Sequence, residues 1–398
     1  MKKVKFGIIG AGNIGAAHYT NFMENKISSG ELVAIADLVP EKLESVRKIG
    51  QEKNPEAEAK VTYFSSGDEL IESGICEAVL VAIPHYSHPV YAIKALKAGL
   101  HTIVEKPAGV YTLQVQEMLD EGAKHPELKL GIMFNVRTHP CFIKMRQMIA
   151  DGDLGQITRL TWIITNWFRT QRYYDNGGWR ATWKGEGGGV LYNQSPHQLD
   201  LFQWVPNMMP SKIHAHCHFG KWHDIEVEDD VTAYLEYPNG ATGVFITTTG
   251  EAPGTNRFEI TGENGKLVYE NNALTFYKNE ASTFDCIKGP AGFGTPKHEK
   301  IEVECPGEYT QHSGVLTNFC NAILGIEELN SPASDGMNGV ILANAMLLSQ
   351  WKNAAIELPI DGQDFYNELQ KHIAESKVVK DETATGTVEA NMANTYSK

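Results

Sequence analysis

Val4-Lys5-Phe6-Gly7-Ile8-Ile9-Gly10-Ala11-Gly12-Asn13-Ile14-Gly15 decides the fold. An apolar run of strand length leads into glycines spaced G-x-G-x-x-G, and the pattern continues as a helix to about Glu24. In that setting Gly10 makes the tight turn, Gly12 lets backbone approach a pyrophosphate, and Gly15 lets helix and strand pack closely. The helix start, with Asn13 and Ile14, presents unpaired N–H groups to the diphosphate. A second strand, Leu32 to Ala36, ends at Asp37, whose carboxylate can accept both adenosine-ribose hydroxyls and repels a 2′-phosphate. No arginine follows it immediately, so the expected cofactor is NAD rather than NADP.

Outward from this motif the chain alternates. A helix follows from Pro40, apolar runs lie at 78–83, 101–104 and 130–134, and helical patterns at 86–98 and 111–124 separate them. Such alternation predicts a parallel sheet covered on both faces. The second half changes character. Thr158 to Phe168 reads as a long strand, with more strands at 211–219, 229–237, 241–250, 256–260 and 265–270 and a Pro-Asn-Gly turn at 238–240. Helices are expected at 188–204, 310–325 and 335–355. The fold class is therefore α/β: an N-terminal Rossmann dinucleotide-binding domain (1–135), a C-terminal α/β domain with a large, mostly antiparallel open sheet (136–375), and a polar tail (376–398).

Composition narrows the function. A chain of 398 residues suits two domains, and 42% hydrophobic with 21% charged residues excludes general disorder. A net charge of −14 argues against nucleic acid and against a polybasic membrane surface. No run of 18 apolar residues exists, and Met1-Lys2-Lys3 leads into a strand rather than a leader. The six cysteines lie far apart without a CxxC pair, which fits free thiols in a reducing cytoplasm.

Two further segments carry a resemblance: Glu105-Lys106-Pro107 directly after the strand at 101–104, and Gly187-Gly188-Gly189-Val190-Leu191-Tyr192-Asn193-Gln194-Ser195-Pro196-His197-Gln198-Leu199-Asp200. With the glycine motif, they make the chain resemble the glucose–fructose oxidoreductase / inositol dehydrogenase (Gfo/Idh/MocA) family over nearly its whole length, up to the polar tail. The resemblance implies substrate bound between the open sheet's face and the nicotinamide, action on secondary hydroxyls of sugars and cyclitols, and homodimers or homotetramers packed through that sheet. It also implies that Lys106 and His197 do the acid–base work.

The chemistry of the residues agrees. Lys106 ends a parallel strand, where such folds bind ligands, and can hydrogen-bond a reacting oxygen. His197 titrates near neutrality and is a natural base for oxidation. Asn193 is expected one helical turn before it on the same face, as a substrate-positioning group. The matching family position is often Asp, so Asn193 is a departure: an amide orients a hydroxyl but cannot share a proton. Asp200 is placed either to pair with His197 or to brace the helix.

The expected cofactor set also includes Ile83, Pro84, His85, His88, Glu105, Lys106, Asn135, Trp179 and Arg180. The substrate set is Lys106, Arg137, Trp167, Arg180, Asn193, His197 and His312. Aromatic residues from Trp162 to Trp183, interleaved with Asn166, Arg169, Arg172 and Arg180, suit a sugar's apolar faces and hydroxyls. His214, His216 and His218 share one strand face and read as a polar sheet face or oligomer contact, with no metal expected.

The leading expectation is an NAD-dependent dehydrogenase of a sugar, a glycoside (carbon 3 of a glucoside is one concrete form) or a cyclitol, inositol among them. The alternatives are a redox-neutral enzyme that cleaves a glycoside with retained, recycled NAD, and a non-catalytic NAD-binding sensor, which the intact Lys106 and His197 oppose.

Overall fold

The opening apolar run forms β1 (Val4–Ile9), buried at every position but one, and Asn13–Met23 forms α1. The chain continues through β2 (Gly30–Ala36), α2 (Pro40–Lys53), α3 (Pro55–Glu58), β3 (Thr62–Phe64), α4 (Gly67–Glu72), β4 (Ala78–Val81), α5 (Ser87–Lys97), β5 (His101–Val104), α6 (Thr112–Ala123) and β6 (Leu130–Ile132). The computed structural model describes residues 2–378 and 380, so most of the tail expected at 376–398 lies outside the described residues.

These six strands make one parallel sheet in the order β3-β2-β1-β4-β5-β6. The order reverses direction between β1 and β4, and in such sheets ligands bind beyond the carboxyl ends of the strands at that point. The central strands are largely apolar, β4 entirely so, because helices cover both faces.

The second half contributes α7 (Pro140–Ala150), β7 (Ile157–Ile164), α8 (Gln171–Asp175), α9 (Pro196–Trp204), β8 (Lys212–Phe219), β9 (Glu228–Glu236), β10 (Thr242–Thr248), β11 (Asn256–Gly262), β12 (Gly265–Glu270), β13 (Ala273–Asn279), α10 (Thr283–Lys288) and β14 (His298–Val303). Then follow α11 (Gln311–Ile323), α12 (Ala333–Lys352), β15 (Ile356–Glu357) and α13 (Gly362–Glu375). Nine strands form the second sheet, ordered β14-β13-β12-β11-β7-β10-β9-β8-β15, antiparallel except for the β7/β10 pair. Its inner face packs aromatic side chains: the Trp162 and Phe258 rings stack at 4.2 Å, and Phe202 lies 5.5 Å from Phe245. The other face is open, and the alternation along β8 and β9 leaves His214, His216, His218, Thr232 and Tyr234 exposed.

The chain divides into two units. The first runs to Thr138 and then takes back Tyr309–Val340; the second is His139–Glu308 with the chain from Ile341. A division at residue 135 therefore differs from the structure for 309–340. The reason is apolar: Val315, Leu316, Phe319 and Cys320 of α11 are buried in the same cluster as Phe6, Ile8, Tyr19 and Phe22. The Ser331 carbonyl also accepts the Ile132 N–H at 2.9 Å, beside β6.

The helix expected at 188–204 is shorter. Only Pro196–Trp204 is helical, and Gly185–Ser195 is a series of turns. Gly187 has φ +84°, and a carboxyl oxygen of the buried Glu228 takes the N–H groups of Gly189 (2.8 Å) and Leu191 (3.0 Å). Asn193 therefore precedes α9 rather than sharing a helical face with His197.

Candidate active site

In the first unit the Gly10–Gly15 loop follows β1. Gly10 has φ +105°, and a Cβ on it would sit 2.3 Å from the Ala82 carbonyl oxygen. A Cβ on Gly15 would lie 1.9 Å from the Gly10 carbonyl oxygen, so only glycine lets α1 start this close to the loop. Gly12 has open space where its Cβ would be, leaving its backbone approachable. Asn13 and Ile14 open α1, which has no side-chain cap. Asp37 is fixed after β2: its carboxylate accepts from Ala11 N at 2.7 Å and Val39 N at 2.9 Å.

Beyond β6, the Asn135 side chain is fully buried, and neither its carbonyl nor its amide nitrogen has a hydrogen-bond partner among the described residues. A buried amide with both ends unmet costs several kcal/mol, on the order of 1–3 per group, so it suits a ligand amide such as that of nicotinamide. These residues fit NAD: a glycine loop and helix start for the diphosphate, Asp37 for the ribose, Asn135 for the carboxamide. Arg137 is placed differently in this neighbourhood. Its guanidinium donates to Asp335 at 2.6 Å and to the Asn330 carbonyl at 3.2 Å, committing that end of the fork to the unit's own packing.

Asp37→Ser is expected to weaken NAD by about 10–100-fold, because charge-assisted bonds of roughly 1.5–3 kcal/mol are lost. The same change relieves repulsion of NADP. Fluorescence titration of both cofactors checks it: an unchanged preference between the two would remove Asp37 from the ribose site.

Lys106 follows β5 and is held through its neighbour. Glu105 is buried, accepts the Lys106 N–H at 3.1 Å, and meets His18 Nε2 of α1 at 2.7 Å. Burial alone would raise the Glu105 pKa; the His18 hydrogen bond and the charges of His18, His312 and Lys106 bring it down to about 2. His312 of α11 lies edge-on to His18 with ring centres 5.2 Å apart, and burial together with the His18 charge pushes it down to about 4. One donor atom each from His18, Glu105 and His312 lies within 4.8 Å of the others. The direct His18–Glu105 hydrogen bond accounts for the closest of these approaches.

Sequence reasoning named His312 as a substrate-binding residue, the structure sets its ring against His18, and His18 itself was missed. Its only local signal was a polar residue on the buried face of α1, 87 positions away from its partner Glu105. Beside Lys106, the Ile83-Pro84-His85 loop follows β4, and His88 on α5 is buried with its ring 5.8 Å from that of His85.

The second unit holds His197, Asn193, Trp179, Arg180 and Trp167. His197 is buried near the start of α9, and Ser195 anchors that start to Thr247 of β10 at 2.9 Å. Tyr173 is the centre of a polar network that sequence reasoning did not assign. Its hydroxyl donates to Asn193 Oδ1 (3.1 Å) and accepts from Arg180 (2.8 Å) and from Gln194 (3.2 Å). The Asn193 amide nitrogen donates to the buried Glu186, whose other oxygen takes the Ala181 N–H at 2.6 Å. Arg180 also lies over the rings of Tyr173 and Trp179. The buried polar atoms of this unit without a hydrogen-bond partner among the described residues include Asn166 Oδ1, Trp167 Nε1, Gln194 Oε1 and Gln198 Oε1.

His214 and His216 are not at this network. Both lie on the exposed sheet face with rings 5.4 Å apart, and His218 faces Asp230 at 3.3 Å.

The N-terminal family model, an oxidoreductase family with an NAD-binding Rossmann fold, matches residues 4–131, and the GFO/IDH/MocA C-terminal domain matches residues 142–268. The chain belongs to the Gfo/Idh/MocA family. It is thus an NAD-binding oxidoreductase by family, as the glycine loop and Asp37 imply. Curated relatives include the myo-inositol 2-dehydrogenase of Thermotoga maritima, 25% identical over 67% of this chain and 75% of that protein. The levoglucosan dehydrogenase of Pseudarthrobacter phenanthrenivorans is 25% identical over 68% of this chain and 74% of that protein.

Among solved structures, the WlbA dehydrogenase of Bordetella pertussis in complex with NADH and UDP-GlcNAcA has TM-score 0.74 and 24% identity over 90% of this chain and 100% of its own. A levoglucosan dehydrogenase with NADH and levoglucosan has TM-score 0.73 and 20% identity over the same shares. These two show the shared fold. No helix among the described residues is long and apolar enough to cross a membrane.

Proposed function

We propose that this protein is an NAD-dependent dehydrogenase acting on a secondary hydroxyl of a sugar, glycoside or cyclitol. The observation that carries the reading is Lys106, placed at the carboxyl end of β5 in an NAD-binding unit and anchored through Glu105. NAD supplies the hydride acceptor when bound. Lys106 hydrogen-bonds the reacting oxygen and takes up its proton on Nζ. His197 is the second acid–base group, and the turn between Gly187 and Pro196, braced by Glu228, sets where it stands.

Asn193 is a positioning group. With Nδ2 on Glu186 and Oδ1 on Tyr173, its orientation is fixed, and the saturated Tyr173 hydroxyl in turn holds Arg180 and Gln194 as hydroxyl-binding groups. The unmet polar atoms on Asn166, Trp167, Gln194 and Gln198 favour a ligand rich in hydroxyls, because a buried donor or acceptor needs a partner. The names of the inositol and levoglucosan dehydrogenases point to the same substrate class. Oxidation at carbon 3 of a glucoside is the finer form of the reading. Assembly through the open face, where Tyr234 is 44% exposed, completes it as a homodimer or homotetramer.

The test is NADH formation with NAD and a panel of inositols, glucose, levoglucosan, and alkyl or aryl glucosides. A substrate-dependent rise in NADH absorbance supports the dehydrogenase and identifies its substrate. Glycoside consumed without NADH would replace this reading with the redox-neutral one, in which NAD is retained. No turnover of any kind, with NAD still bound, would favour a sensor.

A further inference from the structure

His88 lies near the start of α5 with 1% of its surface exposed. Its Nδ1 is 2.8 Å from the Pro107 carbonyl oxygen, and its Nε2 is 2.6 Å from the Ile83 carbonyl oxygen. Both partners can only accept, and a neutral imidazole carries a single N–H. One of the two contacts would then set a ring lone pair against a carbonyl oxygen. Only the imidazolium satisfies both.

The two carbonyls belong to the loops after β4 and β5, neighbouring strands paired through Val81 and Val104. One loop carries His85, the other Lys106.

We infer that His88 is a positively charged clamp that positions Lys106, its imidazolium tying the Ile83 carbonyl to the Pro107 carbonyl so that the loops after β4 and β5 are held as one. The groups facing it are Glu105 and Lys106 from the end of β5, and His85 from its own loop. Burial is the largest influence and leaves the His88 pKa below its ordinary 6.5; the two acceptor contacts are what hold the second proton against it. The Pro107 carbonyl, the Glu105 carboxylate and the Ile83 carbonyl oppose the effect of burial, while Lys106 adds to it. Glu105 is the counter-charge that a buried cation requires. The repulsion between His88 and Lys106 is mutual, so a charged His88 also favours the uncharged amine at Lys106 Nζ, the form that accepts a proton.

A neutron structure of the wild-type protein near pH 7 reads the clamp directly. Deuterium on both ring nitrogens of His88 supports it, and deuterium on one alone overturns it. The second measurement rests on the dehydrogenase reading: the pH profile of kcat/KM for wild type and His88→Gln, which keeps a donor and removes the charge. The acidic limb is expected to move to higher pH by about half a unit or more, together with a fall in kcat. A limb that stays in place while kcat falls would reduce His88 to packing and overturn its charge effect on Lys106. If no substrate in the panel reacts, the functional reading fails while the neutron result still decides the clamp.

Discussion

Lys106→Ala lowers turnover by about 10²–10⁴-fold, the usual worth of a positioned proton-transfer group, while NAD affinity changes by less than about tenfold. The residue follows β5, and its backbone is tied to Glu105, which is tied to His18. The side chain can therefore be truncated without disturbing the anchor. Loss should appear in kcat and in kcat/KM alike, as expected when the missing interaction forms in the transition state. Steady-state kinetics on the best panel substrate, with NAD binding measured separately, checks it. Turnover within a few-fold of wild type would move the acid–base role away from Lys106.

Glu228 gives the second large effect, on stability. Burial pushes its carboxyl from the ordinary 4.5 up to about 8, against the N–H groups of Gly189 and Leu191 that lower it. A carboxyl whose folded pKa is raised stabilises the fold fully below about 4.5, and that contribution is lost as pH rises through about 8. At about 1.4 kcal/mol per pKa unit the whole window is worth on the order of 5 kcal/mol. Urea unfolding between these limits should show wild type weakening towards alkaline pH and Glu228→Gln much flatter. Glu228→Ala should destabilise at every pH, because it leaves two buried N–H groups unmet at roughly 1–3 kcal/mol each. Parallel pH profiles for wild type and the Gln variant would show that Glu228 is not the titrating group.

How much of this was readable in advance depended on where the partner lies. The first sheet announces itself locally: apolar strands, a glycine loop and Asp37 all fall within a short stretch, and each obeys a spacing. β3 has only Thr62–Phe64, too short to show any period. β14 shows no strand pattern because its residues are mostly polar or charged, and exposed, and without that partner the short alternation of β13, which buries only Leu274 and Phe276, carries little signal.

The stretch before Pro196 reads as helix only by continuity with α9: its apolar residues, Val190, Leu191 and Tyr192, are consecutive and set no helical period. What turns it is Glu228, 39 residues from Gly189, which no local reading can see. Lys106, His197 and Asn193 were picked out by motif. Tyr173 and Glu186, which hold Asn193, were lost among other aromatic and acidic residues of the same stretch. The stretch after Tyr309 carries a clear helical pattern, but pattern alone does not say which core a helix joins.

The polypeptide leaves the first unit at Thr138 and supplies Phe319, which packs against Phe6 at 6.1 Å, only after all of His139–Glu308 has been made. Domains usually fold in the order they emerge from the ribosome. Here the nucleotide-binding unit starts first and is completed only after the whole intervening segment has emerged. A nascent chain paused before Tyr309 leaves the surface that α11 covers beside Phe6 and Phe22 open, and a gene fragment ending at Thr138 would yield the motif without the α11 side chains that complete its core.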